Sequence, residues 1–235
     1  MDKHVLLRTD LKKRNVKILM RIVIDGNIGS GKTTQLGLLE KTGYTVRREA
    51  IHDWPLDEFY SDPARWAFLL HMNILLTNQP DEGLQLIERS LLSSRWVFWE
   101  VLKKEGKVTP KEHSTYDKMF EKHAWTPDLF IYLAKSPRKC YEHIQKRTQP
   151  GDQAITLKYL MDLDVQYVKL IKNIPCKVLV VNAERSVEEI HKEIYKYLSG
   201  NELLSIDSER DKVQTTSDRR RQVPCTPFPD MCRMS

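Results

Sequence analysis

Eight consecutive residues have the types and spacing of a phosphate-binding loop. Residues 26–33 match the pattern G-x-x-x-x-G-K-[ST] in full. In such a loop the glycines let the backbone wrap around phosphate oxygens, the next helix offers unpaired N–H groups, and the lysine supplies a positive charge. The threonine hydroxyl can bind Mg²⁺. We therefore predict that ATP and Mg²⁺ bind at Gly26, Asn27, Ile28, Gly29, Ser30, Gly31, Lys32 and Thr33.

This loop does not identify the acceptor of the phosphate, because GTPases, ATPase motors and small-molecule kinases all share it. Two further acidic positions narrow the choice: Glu49, and Glu88 in the triplet Glu88-Arg89-Ser90. Each follows or ends a predicted strand, and open α/β sheets bind ligands at the carboxyl ends of their strands. We predict Glu49 as the base for an attacking hydroxyl, Glu88 as a metal ligand and Arg89 as a stabiliser of phosphoryl charge. A solvated glutamate and a surface ion pair are the alternatives.

Strands and helices must alternate to position these residues. Apolar, β-branched runs predict strands at residues 16–25, 44–48, 84–88, 129–133 and 177–181. Helical periodicity predicts helices at 33–39, 62–77, 91–105, 111–123, 136–146, 156–172 and 187–197. The alternation favours a three-layer α/β/α P-loop NTPase fold, with a five-stranded parallel sheet, helices on both faces and a small lid.

Length and composition indicate one soluble domain. A chain of 235 residues fits a single α/β core plus a tail, and its 40% apolar and 30% charged residues are ordinary for a soluble protein. No apolar stretch approaches the roughly 20 residues that cross a bilayer, so we expect no membrane partner. The first 14 residues lack the apolar segment of a secretory signal, so a cytoplasmic location is expected. The four cysteines lie far apart and are expected to be free thiols.

A positive net charge could attract nucleic acid, but charge alone does not decide for or against such a partner. The net charge of +6 suits a basic enzyme that handles polyanionic nucleotides. Beyond Gly200 the helical periodicity fades, and acids and bases are about equally frequent in residues 201–235. We predict a disordered, solvated tail there and no nucleic-acid partner.

The motifs together resemble the deoxynucleoside kinase family. The resemblance rests on the phosphate loop, Glu49 with Trp54, residues 62–67, and the Glu88-Arg89-Ser90 triplet with Ser93 and Arg95 downstream. It covers roughly residues 20–198, which leaves residues 1–19 as an N-terminal extension, 20–200 as the kinase domain and 201–235 as the tail. It implies transfer of the γ-phosphate of ATP to the 5′-hydroxyl of a deoxynucleoside in nucleotide salvage. It also implies a homodimer.

By position, the resemblance assigns roles to individual residues. Glu49 would be the base, Arg89 would lie near the 5′-oxygen, and Tyr60 with Asp152 would hold the 3′-hydroxyl. Thr33 and Glu88 would hold Mg²⁺, and Thr34 would join the ATP-binding residues. The pocket for the nucleobase would be formed by Trp54, Leu70, His71, Ile74, Asn78, Ser94 and Phe98. Plain core packing is the alternative for the aromatic residues and for His71.

Some positions depart from the family pattern. In the lid, residues 146–153, Arg147 occupies an arginine position that would contact donor phosphates, but Gln149 replaces a second arginine and Asp152 replaces a glutamate. His71 replaces a glutamine that reads the base edge, although a neutral imidazole also offers one donor and one acceptor. Asn78 and Ser94 match neither usual pairing of the family, so the preferred base and the preferred donor stay open.

Two other functions compete with this reading. A thymidylate or other nucleoside monophosphate kinase would share the loop, sheet and lid, but Glu49 would repel a substrate phosphate. A catalytically silent nucleotide-binding protein of the same fold is the second alternative, since the lid and His71 are altered. Binding of nucleotide without phosphoryl transfer would identify it.

Overall fold

The computed structural model describes residues 20–80, 83, 85–147 and 151–200. The predicted extension and tail lie outside these residues, as do the middle of the predicted lid and the start of the first predicted strand. The described chain alternates strands and helices throughout, in the order that the apolar runs predicted.

Five parallel strands form the sheet. They are β1 (Arg21–Asp25), β2 (Val46–Arg47), β3 (Gln85–Glu88), β4 (Leu129–Ala134) and β5 (Lys177–Asn182), arranged in the order β2-β3-β1-β4-β5. In the register of β1 with β3, Ile24 lies opposite Glu88. The carboxyl ends of the two central strands therefore meet, and the phosphate loop and the Glu88-Arg89 pair leave the sheet side by side. The predicted fold class is confirmed.

Nine α-helices, two 3₁₀ turns and one π-helical segment accompany the strands within the described residues. The helices are α1 (Lys32–Lys41), α2 (Leu56–Ser61), α3 (Pro63–Thr77), α4 (Leu91–Ser93), α5 (Trp99–Lys104), α6 (Pro110–His123), α7 (Pro137–Arg147), α8 (Leu157–Asn173) and α9 (Val187–Ser199), and Ile51–Asp53 forms a 3₁₀ turn. The π-helical segment Ser94–Phe98 joins α4 to α5, and Asp152–Ala154 forms a second 3₁₀ turn. Helix α2 was not predicted, and the helix predicted at 91–105 is divided into α4, the π-helical segment and α5.

Side-chain caps explain where two long helices begin. The Asp62 carboxylate accepts a hydrogen bond from the backbone N–H of Arg65, and Pro63 occupies the first turn of α3, where it has no hydrogen bond to lose. Helix α6 begins at a capping box in which Thr109 and Glu112 bond each other's backbone N–H groups. Both starts lie within a residue or two of the predicted ones.

The core lies on both faces of the sheet. On one face, α3, α6 and α8 cover Val23, Ile87 and Phe130. On the other, α1 and α9 cover Ile22, Ile24 and further strand residues. Both faces of β1 are therefore buried, as the continuous apolar sequence of this central parallel strand indicates. Within the described residues, no helix has the length and apolar character needed to span a bilayer.

Candidate active site

The phosphate loop connects β1 directly to α1. The Asn27 side chain closes the loop by accepting from the N–H of Ile28 at 2.9 Å and donating to the Leu160 carbonyl of α8, also at 2.9 Å. Gly29 has φ +80°, and a Cβ there would lie 2.6 Å from the Cys140 carbonyl oxygen, so no larger residue fits without a shift. The buried hydroxyl of Ser30 makes no hydrogen bond to the described chain. The loop thus provides a close backbone cradle and an unpaired hydroxyl, both of which suit phosphate.

Lys32 points back into this cradle. Its ammonium group donates to the carbonyls of Gly26 at 3.2 Å and Asn27 at 3.0 Å. Burial, with a further contribution from the positive charge of Arg89, lowers the pKa of Lys32 to about 8. A lysine held by neutral carbonyls can transfer its hydrogen bonds to an incoming anion without breaking an ion pair. Thr34, also predicted to bind ATP, is exposed in the first turn of α1.

Thr33 and Glu88 lie together at the mouth of the loop. The hydroxyl of Thr33 donates to a carboxylate oxygen of Glu88 at 2.7 Å. Mg²⁺ in nucleotide sites is bound by one or two protein oxygens together with phosphates and water. The pair therefore fits the metal that the fold implies.

Glu49 and Arg89 form an ion pair beside the loop. Glu49 follows β2, and a carboxylate oxygen lies 3.2 Å from Nε of Arg89, with 19% of the Glu49 side chain exposed. Burial raises the pKa of Glu49 to about 7, against the lowering effect of Arg89. A carboxylate with this pKa can accept a proton near neutral pH.

Arg89 is held by two residues that sequence reasoning missed. Its Nη1 donates to the hydroxyl of Tyr167 at 2.5 Å and lies 3.2 Å from Oδ1 of Asp25. The Tyr167 hydroxyl in turn donates to Asp25 at 2.8 Å. Asp25 could have been noticed because it directly precedes the loop, but nothing in the sequence connects it to Tyr167.

Part of the predicted base pocket borders this centre. Trp54, Asn78 and Glu49 line one small cleft, and the indole N–H of Trp54 donates to the hydroxyl of Thr77 at 2.9 Å. The guanidinium of Arg89 lies 4.7 Å from the ring centroid of Phe98. Leu70 is buried and Ile74 is half-buried on α3. The structure thus brings Trp54, Asn78 and Phe98 close to the Glu49–Arg89 pair.

His71 is a buried member of a hydrogen-bonded chain. Its Nδ1 lies 3.0 Å from the hydroxyl of Ser94, which lies 3.2 Å from the hydroxyl of Tyr116. Its ring packs edge-on against Trp99, with centroids 5.0 Å apart. Burial, with Arg95 contributing, lowers the pKa of His71 to about 3, so its ring is neutral at physiological pH.

The described lid residues contact each other rather than the loop. Arg147 donates to the buried Asp152 carboxylate through Nε at 2.9 Å and Nη2 at 2.7 Å. The two lid residues expected to contact the donor phosphates and the sugar thus form an ion pair with each other, and the contacts predicted for them stay predictions. Gly151 has φ +82°, and a Cβ there would lie 2.5 Å from the Tyr60 ring. Tyr60 and Asp152 are thereby neighbours, as a shared sugar site requires.

A glycine-rich loop at the carboxyl end of a central parallel strand, with an ionisable carboxylate across the cleft, is the arrangement of a P-loop phosphotransferase. The sequence matches the family described as deoxynucleoside kinase over residues 22–218. The chain belongs to this family, and it is an ATP-dependent deoxynucleoside kinase.

Individual relatives agree with this assignment. A putative kinase of invertebrate iridescent virus 3 is 31% identical over 186 residues, covering 76% of this chain and 95% of the viral protein. Human mitochondrial thymidine kinase 2 is 28% identical over 225 residues, covering 85% of this chain and 79% of the human protein. A solved deoxyadenosine kinase from M. mycoides, with dCMP and dCDP bound, superposes with a TM-score of 0.68 at 25% identity, covering 76% and 98% of the two chains. The names of these relatives differ in their nucleoside, so they leave the preferred base of this chain open.

Proposed function

We propose that this kinase transfers the γ-phosphate of ATP to the 5′-hydroxyl of a deoxynucleoside, with Glu49 as the base. The observation that carries the proposal is the position of Glu49, beside Arg89 and across the sheet edge from the phosphate loop. A carboxylate there suits a neutral hydroxyl and would repel a substrate that already carries a phosphate. This argues against a nucleoside monophosphate kinase.

In the proposed reaction, the 5′-oxygen attacks the γ-phosphorus while Glu49 accepts its proton. The bond from the γ-phosphorus to the bridging oxygen breaks, and the bonding electrons leave on ADP. Lys32 and the loop N–H groups stabilise the donor phosphates, and Arg89 stabilises charge that develops near the attacked phosphorus. Mg²⁺, when bound at Thr33 and Glu88, neutralises phosphate charge.

The acceptor class and the base are tested together. The turnover of each of the four deoxynucleosides is compared with that of its monophosphate, for the wild type and for Glu49→Gln. We expect activity on deoxynucleosides alone, and a decrease in kcat of about 10²- to 10⁴-fold in the variant at unchanged ATP affinity. Activity confined to monophosphates, or wild-type turnover by the variant, would overturn the proposal.

At the base end of the pocket, we propose that His71 acts as a hydrogen-bond donor. A single direction of the chain uses both hydroxyl protons: Tyr116 donates to Ser94, and Ser94 donates to Nδ1 of His71. The ring proton then resides on Nε2. His71 and Asn78 lie seven residues apart, on one stripe of α3 and its C-terminal cap, and Asn78 lines the cleft beside Glu49.

A donor at this position favours a base whose ring nitrogen on the base-pairing edge is an acceptor, namely cytosine (N3) or adenine (N1). Thymine and guanine carry a proton there. We expect kcat/KM to favour deoxycytidine and deoxyadenosine over the other two nucleosides. His71→Gln offers both a donor and an acceptor, so it should narrow this difference by about tenfold. A wild-type preference for thymidine or deoxyguanosine would refute the assignment of the proton to Nε2.

Four further expectations belong to this proposal. Residues 20–200 act as the catalytic unit, and residues 146–153 act as a lid whose Arg147–Asp152 pair separates when both substrates are bound. The exposed Leu69 and Leu76, two turns apart on α3, support a homodimer, which sedimentation of the protein would test. A cytoplasmic location is proposed on the free thiols of Cys140 and Cys176.

A further inference from the structure

We propose that Tyr167 and Asp25 are positioning residues that hold Arg89 against Glu49. The inference rests on the proposed role of Glu49 as the base. It assigns function to a helix residue that lies 142 positions from Asp25 in the sequence and comes from outside the phosphate loop and the Glu88-Arg89-Ser90 triplet.

The geometry of the three side chains is that of a closed triangle. Arg89 donates through Nη1 to Tyr167 at 2.5 Å and to Asp25 at 3.2 Å, and Tyr167 donates to the same Asp25 oxygen at 2.8 Å. That oxygen also accepts the N–H of Gly26 at 2.8 Å, whereas the other oxygen of Asp25 is buried without a partner in the described chain. One carboxylate oxygen thus ties Arg89 and Tyr167 to the first residue of the phosphate loop.

The backbone of Arg89 shows why such a tether is needed. Arg89 has φ +59°, and it alone among the described non-glycine residues has a positive φ. This conformation is unfavourable for a residue with a Cβ, and it persists where surrounding contacts hold it. Here the conformation turns the side chain back over the end of β1, so that Nη1 reaches the triangle while Nε faces Glu49. The triangle therefore fixes the end of the guanidinium opposite to the end that contacts the base.

Helix α8 is fixed to the phosphate loop at two points. The Tyr167 hydroxyl donates to Asp25, which directly precedes the loop. Two turns earlier on α8, the carbonyl of Leu160 accepts from the side chain of Asn27. Because Tyr167 contacts both Asp25 and Arg89, the position of α8 against the loop helps to set the position of the guanidinium.

The electrostatic surroundings set the direction of the expected effect. Glu49 is faced by Arg89 and Lys32, which lower its pKa, and by Glu88 and Asp25, which together with burial raise it. If the Tyr167 hydroxyl is removed, Nη1 keeps only Asp25 and the Gly26 carbonyl as partners, and the guanidinium is free to turn toward Asp25. Glu49 then loses part of the attraction that stabilises its ionised form, so its pKa rises.

The experiment compares Tyr167→Phe with the matched variant Tyr132→Phe. Tyr132 is also buried, its ring lies 5.5 Å from that of Tyr167, and its hydroxyl bonds to no residue in the described ranges. We expect kcat of Tyr167→Phe to fall about tenfold or more, with KM for ATP unchanged within about twofold, and the acid limb of its pH profile to move to higher pH. Tyr132→Phe should keep wild-type kcat and pH profile. Thermal unfolding of both variants shows that each is folded and how much stability is lost with a bonded hydroxyl compared with an unbonded one.

A second variant keeps the inference testable if Tyr167→Phe does not fold. Asp25→Asn retains an oxygen for the N–H of Gly26 but removes the charge that Arg89 contacts, and it should also lower kcat. When both single variants fold, the kcat of the double variant should be close to that of the less active single variant, because the two residues act through the same guanidinium. Additive losses, an unmoved acid limb, or equal effects of Tyr132→Phe would overturn the positioning role. Failure of the wild type to phosphorylate any deoxynucleoside would instead refute the proposed function.

Discussion

The pKa of Glu49 predicts a steep dependence of activity on pH near neutrality. Burial raises this pKa to about 7, and the base must be ionised to accept the 5′-hydroxyl proton, so activity should rise with pH. With a pKa of about 7, about one molecule in eleven is ionised at pH 6 and about ten in eleven at pH 8. We therefore expect kcat/KM for the deoxynucleoside to increase about tenfold between these two values. A glutamate with its ordinary pKa would give almost no change over this range.

Lys32 adds a second limb that depends on which substrate is varied. Its pKa is lowered to about 8 by burial and Arg89, so the free enzyme should lose affinity for ATP above that pH. Bound phosphates favour the protonated lysine, which moves this limb to higher pH. The profile of kcat/KM for ATP should therefore be bell-shaped with limbs near pH 7 and pH 8. The profile for the deoxynucleoside at saturating ATP should show the acid limb alone up to about pH 9.

The control for this measurement is Glu49→Gln. Phosphate groups of the donor also titrate near pH 6, and they would produce an acid limb of their own. A limb that belongs to Glu49 disappears in the variant, whereas one that belongs to ATP remains. If the wild-type profile is flat between pH 6 and pH 8, or if its acid limb survives the substitution, Glu49 is not the base.

Two further predictions concern the donor cradle and the lid. Lys32→Ala should lower kcat/KM for ATP by at least about 100-fold. Lys41→Ala, at the exposed end of α1, is the control and should change kcat/KM by less than about twofold. Equal effects of the two substitutions would contradict a cradle centred on Lys32. Gly151→Ala should raise KM for the deoxynucleoside, because the new methyl group meets Tyr60 at 2.5 Å. Gly106→Ala shares the positive φ but has open space, so a similar rise in KM there would show that backbone strain alone is responsible.

Most of the fold could be predicted from the sequence because its elements follow local rules. The central strands are apolar on both faces, and the strand–loop–helix pattern around residues 26–33 has few alternatives. Helix α2 was missed because Leu56–Ser61 is short and has none of its residues fully buried, so it carries little apolar periodicity. The π-helical segment Ser94–Phe98 looks like ordinary helix in sequence, since one extra residue per turn leaves no compositional mark.

The candidate site was predictable only where function depends on short-range spacing. Glu49, Glu88 and Arg89 could be expected to lie together because each ends or follows a strand on the side of the sheet where parallel sheets bind ligands. The pairing of Arg147 with Asp152 was not predicted, because it depends on how the ends of the lid approach each other. Tyr167 was invisible for a related reason: its hydroxyl acts through a contact that exists only once α8 packs beside β1.

The surroundings of Lys32 and Arg89 differ, so we expect that these two cations are not interchangeable. Lys32 is held by two loop carbonyls and forms no ion pair with the described residues, so an incoming triphosphate can take over its hydrogen bonds without breaking an ion pair. Arg89 instead lies between Asp25 and Glu49, and its planar guanidinium can contact both at once, which an ammonium group cannot do with the same geometry. If the two cations exchanged places, the donor phosphates would compete with Glu49 for its partner. Because the two cations lie apart, ATP can bind at Lys32. The ionisation of Glu49 then depends largely on Arg89 and on the residues that hold Arg89.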